Sequence, residues 1–277
     1  MINGCRFLKM ILILVTALVT TSGCSKNVFK DSASTDSDES LLVDAKQAVN
    51  AFDYQTAINI VTLRMTASGQ ALTSSKEVLS SAYAGKCGLN FILYLDSLSH
   101  ASSGTAFKLM MTPFVGIAAD PASCLQSLDT LQTIGATAQR TSNENAFAAV
   151  VAMSLMGSEV RTAVDVTPTN GNGTVEGNVC AMTDNQIDFV ILGLGHMIQN
   201  FSYLTVGQLG SSSQVSLNDL ITVCTSIPGV TSCSVTDPAA ITAPLRVAIR
   251  NLLNTVEYGV GPIVTNGNAA AIAMACP

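Results

Sequence analysis

The sequence predicts an all-α protein, with helical pairs packed as a solenoid or a bundle and cross-linked by disulfides. Three observations predict this class. Apolar side chains recur with the 3.6-residue period of a helix over most of residues 41–277. Helix-start signals precede several of these segments, and an even set of cysteines follows an N-terminal leader. The β-branched stretches 175–181 and 230–235 are short and isolated, so no strand is predicted.

The N-terminus has the layout of a secretory signal. Residues 1–9 carry Arg6 and Lys9 and no acidic residue, and Met10–Val19 is almost entirely apolar. A basic start, a short apolar core and small residues before a cut are typical of an export leader. The apolar core is about half of the roughly 20 residues that a membrane-spanning helix needs.

Small residues stand immediately before a cysteine in the stretch Thr21-Ser22-Gly23-Cys24. This stretch resembles the lipobox of bacterial prolipoproteins, although most members carry Leu where Thr21 stands. The resemblance implies that residues 1–23 are a signal peptide and that Cys24 receives a diacylglycerol thioether, with no other cofactor. Two or three acyl chains anchor a protein stably to a membrane. The alternative is an ordinary secretory signal with an incidental cysteine.

The residue after Cys24 bears on which membrane of the cell envelope carries the protein. Ser25 resembles the second mature residue that permits outer-membrane delivery in enterobacterial sorting. The resemblance therefore implies a lipid-anchored protein of the bacterial cell envelope, at the outer membrane in preference to the inner membrane.

Residues 24–40 are predicted to form a flexible tether. The stretch is rich in serine and acidic residues and lacks the apolar content that folding requires. A single all-helical domain is then predicted over residues 41–277.

Charge and hydropathy exclude some partners. Residues 24–277 keep 11 of the 13 Lys and Arg and all 19 Asp and Glu, which argues against nucleic acid and against electrostatic docking on anionic lipid. The mean hydropathy is +0.42 with 12% charged residues. No membrane span is predicted after the leader, because the most apolar stretch, Phe189–Leu194, is bounded by Asp188 and interrupted at Gly193. The apolar content is therefore expected to be buried, or exposed for a partner or ligand.

Six cysteines remain once Cys5 and Cys24 are set aside, and an even set in an exported protein indicates disulfides. Six cysteines allow 15 pairings. We predict Cys224–Cys233, because Ile227-Pro228-Gly229 between them can turn the chain back. For the others we predict Cys87–Cys124 and Cys180–Cys276. No metal site is predicted, since the chain has no C-x-x-C motif and only two histidines.

Helix starts are marked by capping-box patterns and by an acidic residue before proline. The capping-box patterns are Ser74-x-x-Glu77, Thr141-x-x-Glu144 and Thr183-x-x-Gln186; the acid–proline pairs are Asp120-Pro121 and Asp237-Pro238. Breaks are predicted at residues 99–104, 168–173, 207–213, 227–234 and 259–262. These signals indicate roughly eight to ten helices.

Residues 52–58 carry Tyr54, Ala57 and Ile58 at the spacing of the second helix of a tetratricopeptide repeat, which they resemble. Val61 and Arg64 depart from that pattern, standing where an aromatic residue and an alanine are usual. The resemblance implies tetratricopeptide-like pairing of helices. An exported helical lipoprotein is also similar in architecture to the periplasmic lipoproteins associated with TRAP transporters, which implies another envelope protein as partner.

The sequence contains no motif of a known catalytic or nucleotide-binding site, and no catalytic residue is predicted. His100 is interpreted as a surface-loop histidine and His196 as a packed one. Acidic residues at both ends of 165–176 resemble an EF-hand loop, but Thr167 and Thr169 replace two ligands, so a plain Asn/Gly loop is favoured.

Met110, Met111 and Phe114 stand beside Pro113 in an apolar segment and could line an adaptable ligand groove. The alternative, which we favour, is a core helix bent by the proline.

Two functions are therefore open. The first is a membrane-anchored, non-enzymatic scaffold that binds another envelope protein. The second is a carrier lipoprotein that holds a small or apolar ligand, associated with transport. A broad groove with exposed aromatic side chains would favour the scaffold, and a large enclosed apolar pocket would favour the carrier. A cleft joining His100 or His196 to carboxylates would indicate an enzyme.

Overall fold

A computed structural model describes residues 36–101 and 104–276. The predicted signal peptide, Cys24 and most of the predicted tether lie outside the described residues. The described part confirms the all-α class: it contains thirteen α-helices and no strand, with one isolated bridge between Thr255 and Ile263.

The helices follow one another along the chain, with longer connections at residues 165–183, 225–242 and 254–268. They are α1 (Asp38–Asn50), α2 (Tyr54–Asn59), α3 (Ala67–Ala71), α4 (Thr73–Lys86), α5 (Phe91–Ser99), α6 (Ala106–Met111), α7 (Pro121–Gln132), α8 (Ser142–Val164), α9 (Asp184–Asn200), α10 (Val206–Leu209), α11 (Ser211–Cys224), α12 (Ala243–Leu253) and α13 (Ala269–Ile272). Helix α2 continues as a π-helix over Ile60–Arg64. Short 3-10 turns occupy Thr112–Phe114, Val179–Ala181, Phe201–Tyr203 and Pro238–Ala240.

Three of the predicted helix starts are confirmed. Thr141 and Glu144 form a capping box at α8, and Thr183 and Gln186 form another at α9. At α7 the Asp120 carboxylate accepts from the Ser123 N–H, with Pro121 in the first turn. These are the longer helices of the core, so local capping chemistry and tertiary burial agree there.

Two predicted helix starts are wrong. Helix α4 begins at Thr73, after Leu72, so Ser74 does not cap it. Asp237 accepts from the Ala239 N–H and caps only a 3-10 turn, while α12 begins after Thr242. A capping pattern describes favourable local hydrogen bonds, and the chain uses a neighbouring residue wherever packing sets the helix in a different place.

Two predicted boundaries also move. Helix α1 begins at Asp38, three residues before the expected edge, because Ser37 caps it and the Asp38 carboxylate accepts from Thr66 at 2.8 Å. Residues 207–213 are not a long break, since α10 and α11 meet at Gly210. Gly210 has φ +75, and a Cβ there would lie 2.6 Å from the Ser99 carbonyl oxygen, so glycine suits the turn by conformation and by space.

The core is built around α8. Nearly every residue of this helix is buried, and α6, α7 and α9 pack against it. It is long and apolar enough to cross a membrane, but 83% of its apolar window is buried inside the fold. Burial in the core accounts for the apolar character of this helix.

All three predicted disulfides are confirmed. Cys87 follows α4 and is bonded to Cys124 in α7. The other two bridges join Cys180 to Cys276 and Cys224 to Cys233. The long bridges therefore tie together segments 37 and 96 residues apart.

Helices α1, α2 and α4 pair at the N-terminal end of the described chain. Ala57 of α2 and Ala82 of α4 are both fully buried and share a small apolar cluster, so these helices approach closely. The π-helix at Ile60–Arg64 covers Val61 and Arg64, the positions that depart from the tetratricopeptide pattern. The helical class holds throughout, while the solenoid arrangement stays a prediction.

Candidate functional site

The end of α1, the face of α4 and the start of α5 enclose an open groove of about 360 Å³, which we term the aromatic groove. Its side chains are mostly apolar, and four of them are aromatic. The lining residues are Val49, Asn50, Phe52, Tyr54, Ser81, Ala84, Gly85, Leu89, Asn90, Phe91, Ile92 and Phe147.

Phe52 has a backbone conformation that a phenylalanine rarely adopts. Its φ is +60, in the left-handed region, which costs an L-residue with a side chain about 1–2 kcal/mol. The Phe52 N–H donates to the Val49 carbonyl and the Asp53 N–H donates to the Ala48 carbonyl. These two bonds form the Schellman motif that ends a helix, and Phe52 occupies the position usually held by glycine.

Burial of the Phe52 side chain does little to offset this conformational cost. It is 70% exposed, and its contact with an aromatic neighbour is an edge-to-face approach to Tyr54 at 6.2 Å between ring centroids. A strained backbone that presents an exposed aromatic ring is the kind of feature found at binding sites.

The other walls of the groove place further apolar surface beside Phe52. The Tyr54 ring packs against Gly85. A Cβ at position 85 would lie 2.1 Å from the ring, so only glycine leaves room for this contact. Phe91 and Phe147 stack at 5.8 Å between ring centroids. Ile92 is 76% exposed. Leu93 is exposed as well.

The predicted ligand-groove residues are core side chains. Met110 and Met111 are fully buried within the main apolar cluster, and Gly157 of α8 lies against the Met110 carbonyl. Phe114 is buried too, although it borders a cavity of about 80 Å³ with Tyr94 and Pro113. That volume is far below the roughly 300 Å³ of a typical ligand pocket. The segment is therefore the core helix of the alternative interpretation, ended by a 3-10 turn at Pro113.

His100 closes α5 at the surface. Its Nδ1 lies 3.2 Å from Asp96 Oδ1 and 3.1 Å from Ser99 Oγ, which brings a serine, a histidine and an aspartate together. Both neighbours share the same ring nitrogen, whereas a catalytic triad needs the serine on one nitrogen and the carboxylate on the other. The histidine side chain is 78% exposed. The cluster therefore forms a polar helix end outside any cleft.

His196 is buried in α9 beside polar groups of other elements. Its Nε2 lies 3.3 Å from the side-chain nitrogen of Gln132. Burial, together with the nearby positive charge of Arg140, lowers the pKa of His196 to about 4. The ring is therefore neutral at physiological pH and packs in the core, as interpreted from the sequence.

In the loop that resembles an EF-hand, the first carboxylate accepts hydrogen bonds from the loop's own backbone. Asp165 is buried, and its two oxygens accept from the N–H groups of Asn172 and Gly173 at 2.9 and 2.8 Å. These bonds hold the loop shape that an Asn/Gly turn requires. Among the residues that the structure describes, no three His, Cys, Asp or Glu side chains cluster as metal ligands.

Comparisons of the chain with protein-family models, with curated proteins and with solved structures find no match.

Sequence reasoning missed the aromatic groove for an identifiable reason. No glycine or asparagine stands after Asn50-Ala51 to mark the end of a helix, so the turn at Phe52 has no conventional signal. The adjacent pair Ile92-Leu93 is a weak signal that was available. Both side chains are exposed at the start of α5.

Proposed function

We propose that this chain is a non-enzymatic scaffold of the bacterial envelope, anchored by lipid at Cys24, whose aromatic groove binds another envelope protein. The anchor is supported by the lipobox resemblance of residues 21–24. The all-helical body supports the scaffold, and its exposed aromatic groove favours protein binding over an enclosed ligand site.

The observation that carries the proposal is Phe52. A glycine at this Schellman position would relieve the left-handed strain, so a phenylalanine is unfavourable for stability there. Exposed aromatic side chains are among the residues that contribute most to protein–protein affinity. A side chain that costs stability and remains exposed is best explained by contact with a partner.

The proposal is tested with full-length protein purified from its native envelope in mild detergent. A photo-crosslinking phenylalanine analogue at position 92 should capture one recurring protein partner. Phe52→Gly and Ile92→Ser should each abolish capture of that partner from the native envelope in a plain pull-down. Val215→Ser is the matched control, because Val215 is a similarly exposed apolar residue on α11, outside the groove.

Stability measurements separate binding from folding. We expect Phe52→Gly to keep or raise the free energy of unfolding. The roughly 1–2 kcal/mol of relieved strain is opposed by about 0.5–1 kcal/mol of extra chain entropy in the unfolded state. Undiminished partner capture by both groove variants would refute the scaffold, as would the absence of any protein partner. The mass of the N-terminal peptide separately tests acylation of Cys24.

A further inference from the structure

A second cavity lies at the other end of the described chain. Residues 175–181 and 260–263 face each other across an open cleft of about 790 Å³, with Asn254 and Ala275 also lining it. The volume is within the roughly 300–1,000 Å³ of small-ligand sites. The Cys180–Cys276 disulfide joins one wall to the residue that follows Ala275, so a covalent bond fixes the shape of the cleft. The cleft shares no lining residue with the aromatic groove.

Asn254 presents an unused acceptor in this cleft. The residue is only 8% exposed. Its Nδ2 donates to the Ala275 carbonyl at 2.6 Å, which fixes the orientation of the amide because a flipped oxygen would face another oxygen. Its Oδ1 accepts no hydrogen bond from the residues that the structure describes. The oxygen lies at the surface of the cleft, where a bound group can donate to it.

Gly261 keeps that oxygen accessible. A Cβ at position 261 would lie 2.3 Å from Asn254 Oδ1, so any larger residue would displace the amide or cover it. The Val260 and Gly261 N–H groups both donate to the Leu253 carbonyl and hold this segment against the end of α12. The local backbone thus holds an amide oxygen at the cleft surface.

The charge in the cleft is negative. Glu176 is the one ionisable residue among those that line it, and its side chain is exposed. The cation Arg250 is not a lining residue, and its Nη2 donates to the Met182 carbonyl and to Asp184. The cleft therefore offers acceptors and a carboxylate to a ligand, and apolar walls from Val175, Val260 and Ile263.

We propose that this cleft binds a primary ammonium group carried on an apolar stem. The ammonium donates to the Glu176 carboxylate and to Asn254 Oδ1, since it has three donors and no acceptor. The stem packs along the valine and isoleucine walls. Such a group is supplied either by a free alkylamine or by a lysine side chain of a peptide.

The test uses the oxidised full-length protein in mild detergent, labelled with ¹⁵N at asparagine. Hexylammonium chloride and the peptide acetyl-Val-Lys-Val-amide are titrated separately, and the Asn254 side-chain amide resonance is followed. We expect saturable shifts with at least one of them. Binding of the amine alone identifies a free amine as the source, and tighter binding of the peptide identifies a lysine side chain. No shift with either probe would overturn the proposal.

One further probe and three variants test the chemistry of binding. Hexanol, which has the same stem without the charge, should shift the resonance weakly or not at all. Glu176→Gln should weaken ammonium binding about fivefold, the value of an exposed ion pair, whereas Glu77→Gln on α4 should leave it unchanged. Ala181→Phe, at an exposed lining position, should block the cleft without touching the core. Equal binding of hexanol and the amine, or full affinity in Glu176→Gln, would contradict an ammonium site.

Discussion

The guanidinium of Arg140 donates from Nη2 to the side-chain oxygen of Asn200, 3.0 Å away and 60 residues later in the chain. Its Nε donates to the side-chain oxygen of Asn145 at 2.9 Å. Burial lowers the pKa of Arg140, and the charges of Glu144 and Tyr203 oppose that effect. A buried cation is thus solvated by two amide oxygens, which fasten the loop before α8 to both α8 and α9.

Replacing Asn200 with leucine should therefore destabilise the fold. A hydrogen bond to a charged group contributes about 1.5–3 kcal/mol, and we expect Asn200→Leu to lower the free energy of unfolding by roughly that amount in urea denaturation. Arg140→Met in the same chain should restore part of the loss, because it removes the unpaired buried charge. Asn218→Leu, on the exposed face of α11, is the control and should change stability by less than about 0.5 kcal/mol. An equally small loss in Asn200→Leu would show that solvent replaces the amide.

His196 makes stability depend on pH in the acidic range. The unfolded chain takes up this proton near pH 6.5, whereas the folded chain takes it up only near pH 4. Between these values the unfolded state binds more protons at this residue, so the contribution of His196 to stability is complete above pH 6.5 and is lost as the pH falls toward 4. The total loss is roughly 3 kcal/mol. In urea denaturation across pH 4–7, the free energy of unfolding of wild type relative to His196→Gln should rise by roughly 3 kcal/mol from pH 4 to pH 7, and a difference that does not change with pH would contradict this assignment.

Glu159 changes the stability of the fold with pH in the opposite direction. Burial raises its pKa to about 7, against a hydrogen bond with Gln186 that lowers it. The folded state therefore holds a proton that the unfolded state releases near pH 4.5, and stability falls as the pH rises from 4.5 to 7. We expect Glu159→Gln to be more stable than wild type by about 2–3 kcal/mol at pH 8 and equal to it at pH 4. Glu77→Gln, at an exposed site, should match wild type at both pH values; a Glu159→Gln chain that also matched it would show that Glu159 is solvated.

The three disulfides should differ in how much each adds to the free energy of unfolding. In the loop-entropy model, closing the 96-residue separation of Cys180–Cys276 stabilises by about 4.7 kcal/mol, and the 9-residue separation of Cys224–Cys233 by about 2.6 kcal/mol. Paired Cys→Ser variants of each bridge, unfolded in urea, should follow that order. A larger loss for Cys224→Ser/Cys233→Ser would mean that packing of the buried sulfurs outweighs chain entropy.

Features that depend on local chemistry or chain topology could be predicted from the sequence. The capping boxes at Thr141 and Thr183 are correct because side chains one turn apart satisfy each other within the same helix. The Cys224–Cys233 pair is correct because the turn at Pro228 brings the chain back on itself, whereas the other two pairs, also correct, have no such local signal. Helix boundaries set by packing, such as the start of α4 at Thr73, carry no such local mark.

The aromatic groove could not be predicted because it depends on a helix that ends without the usual residue. A sequence pattern indicates which side chains are apolar, but the exposure of Phe52 and Ile92 follows from a left-handed turn and from how α4 and α5 meet. At Met110 and Met111 the opposite happens. Their flexible apolar side chains suggest a ligand groove in the sequence, but in the structure the central helix α8 covers them. In both cases tertiary packing decides exposure.

The nesting of the disulfides has a consequence for how the chain matures. Cys224–Cys233 lies wholly inside the segment closed by Cys180–Cys276. Suppose that cysteines are oxidised in pairs in the order in which they emerge from the N-terminus. Cys180 would then be joined to Cys224, and Cys233 would be left to pair with Cys276. Reaching the native set from that state requires thiol–disulfide exchange, which takes minutes to hours when it is uncatalysed. Maturation of this protein should therefore depend on a disulfide isomerase, and not on an oxidase alone.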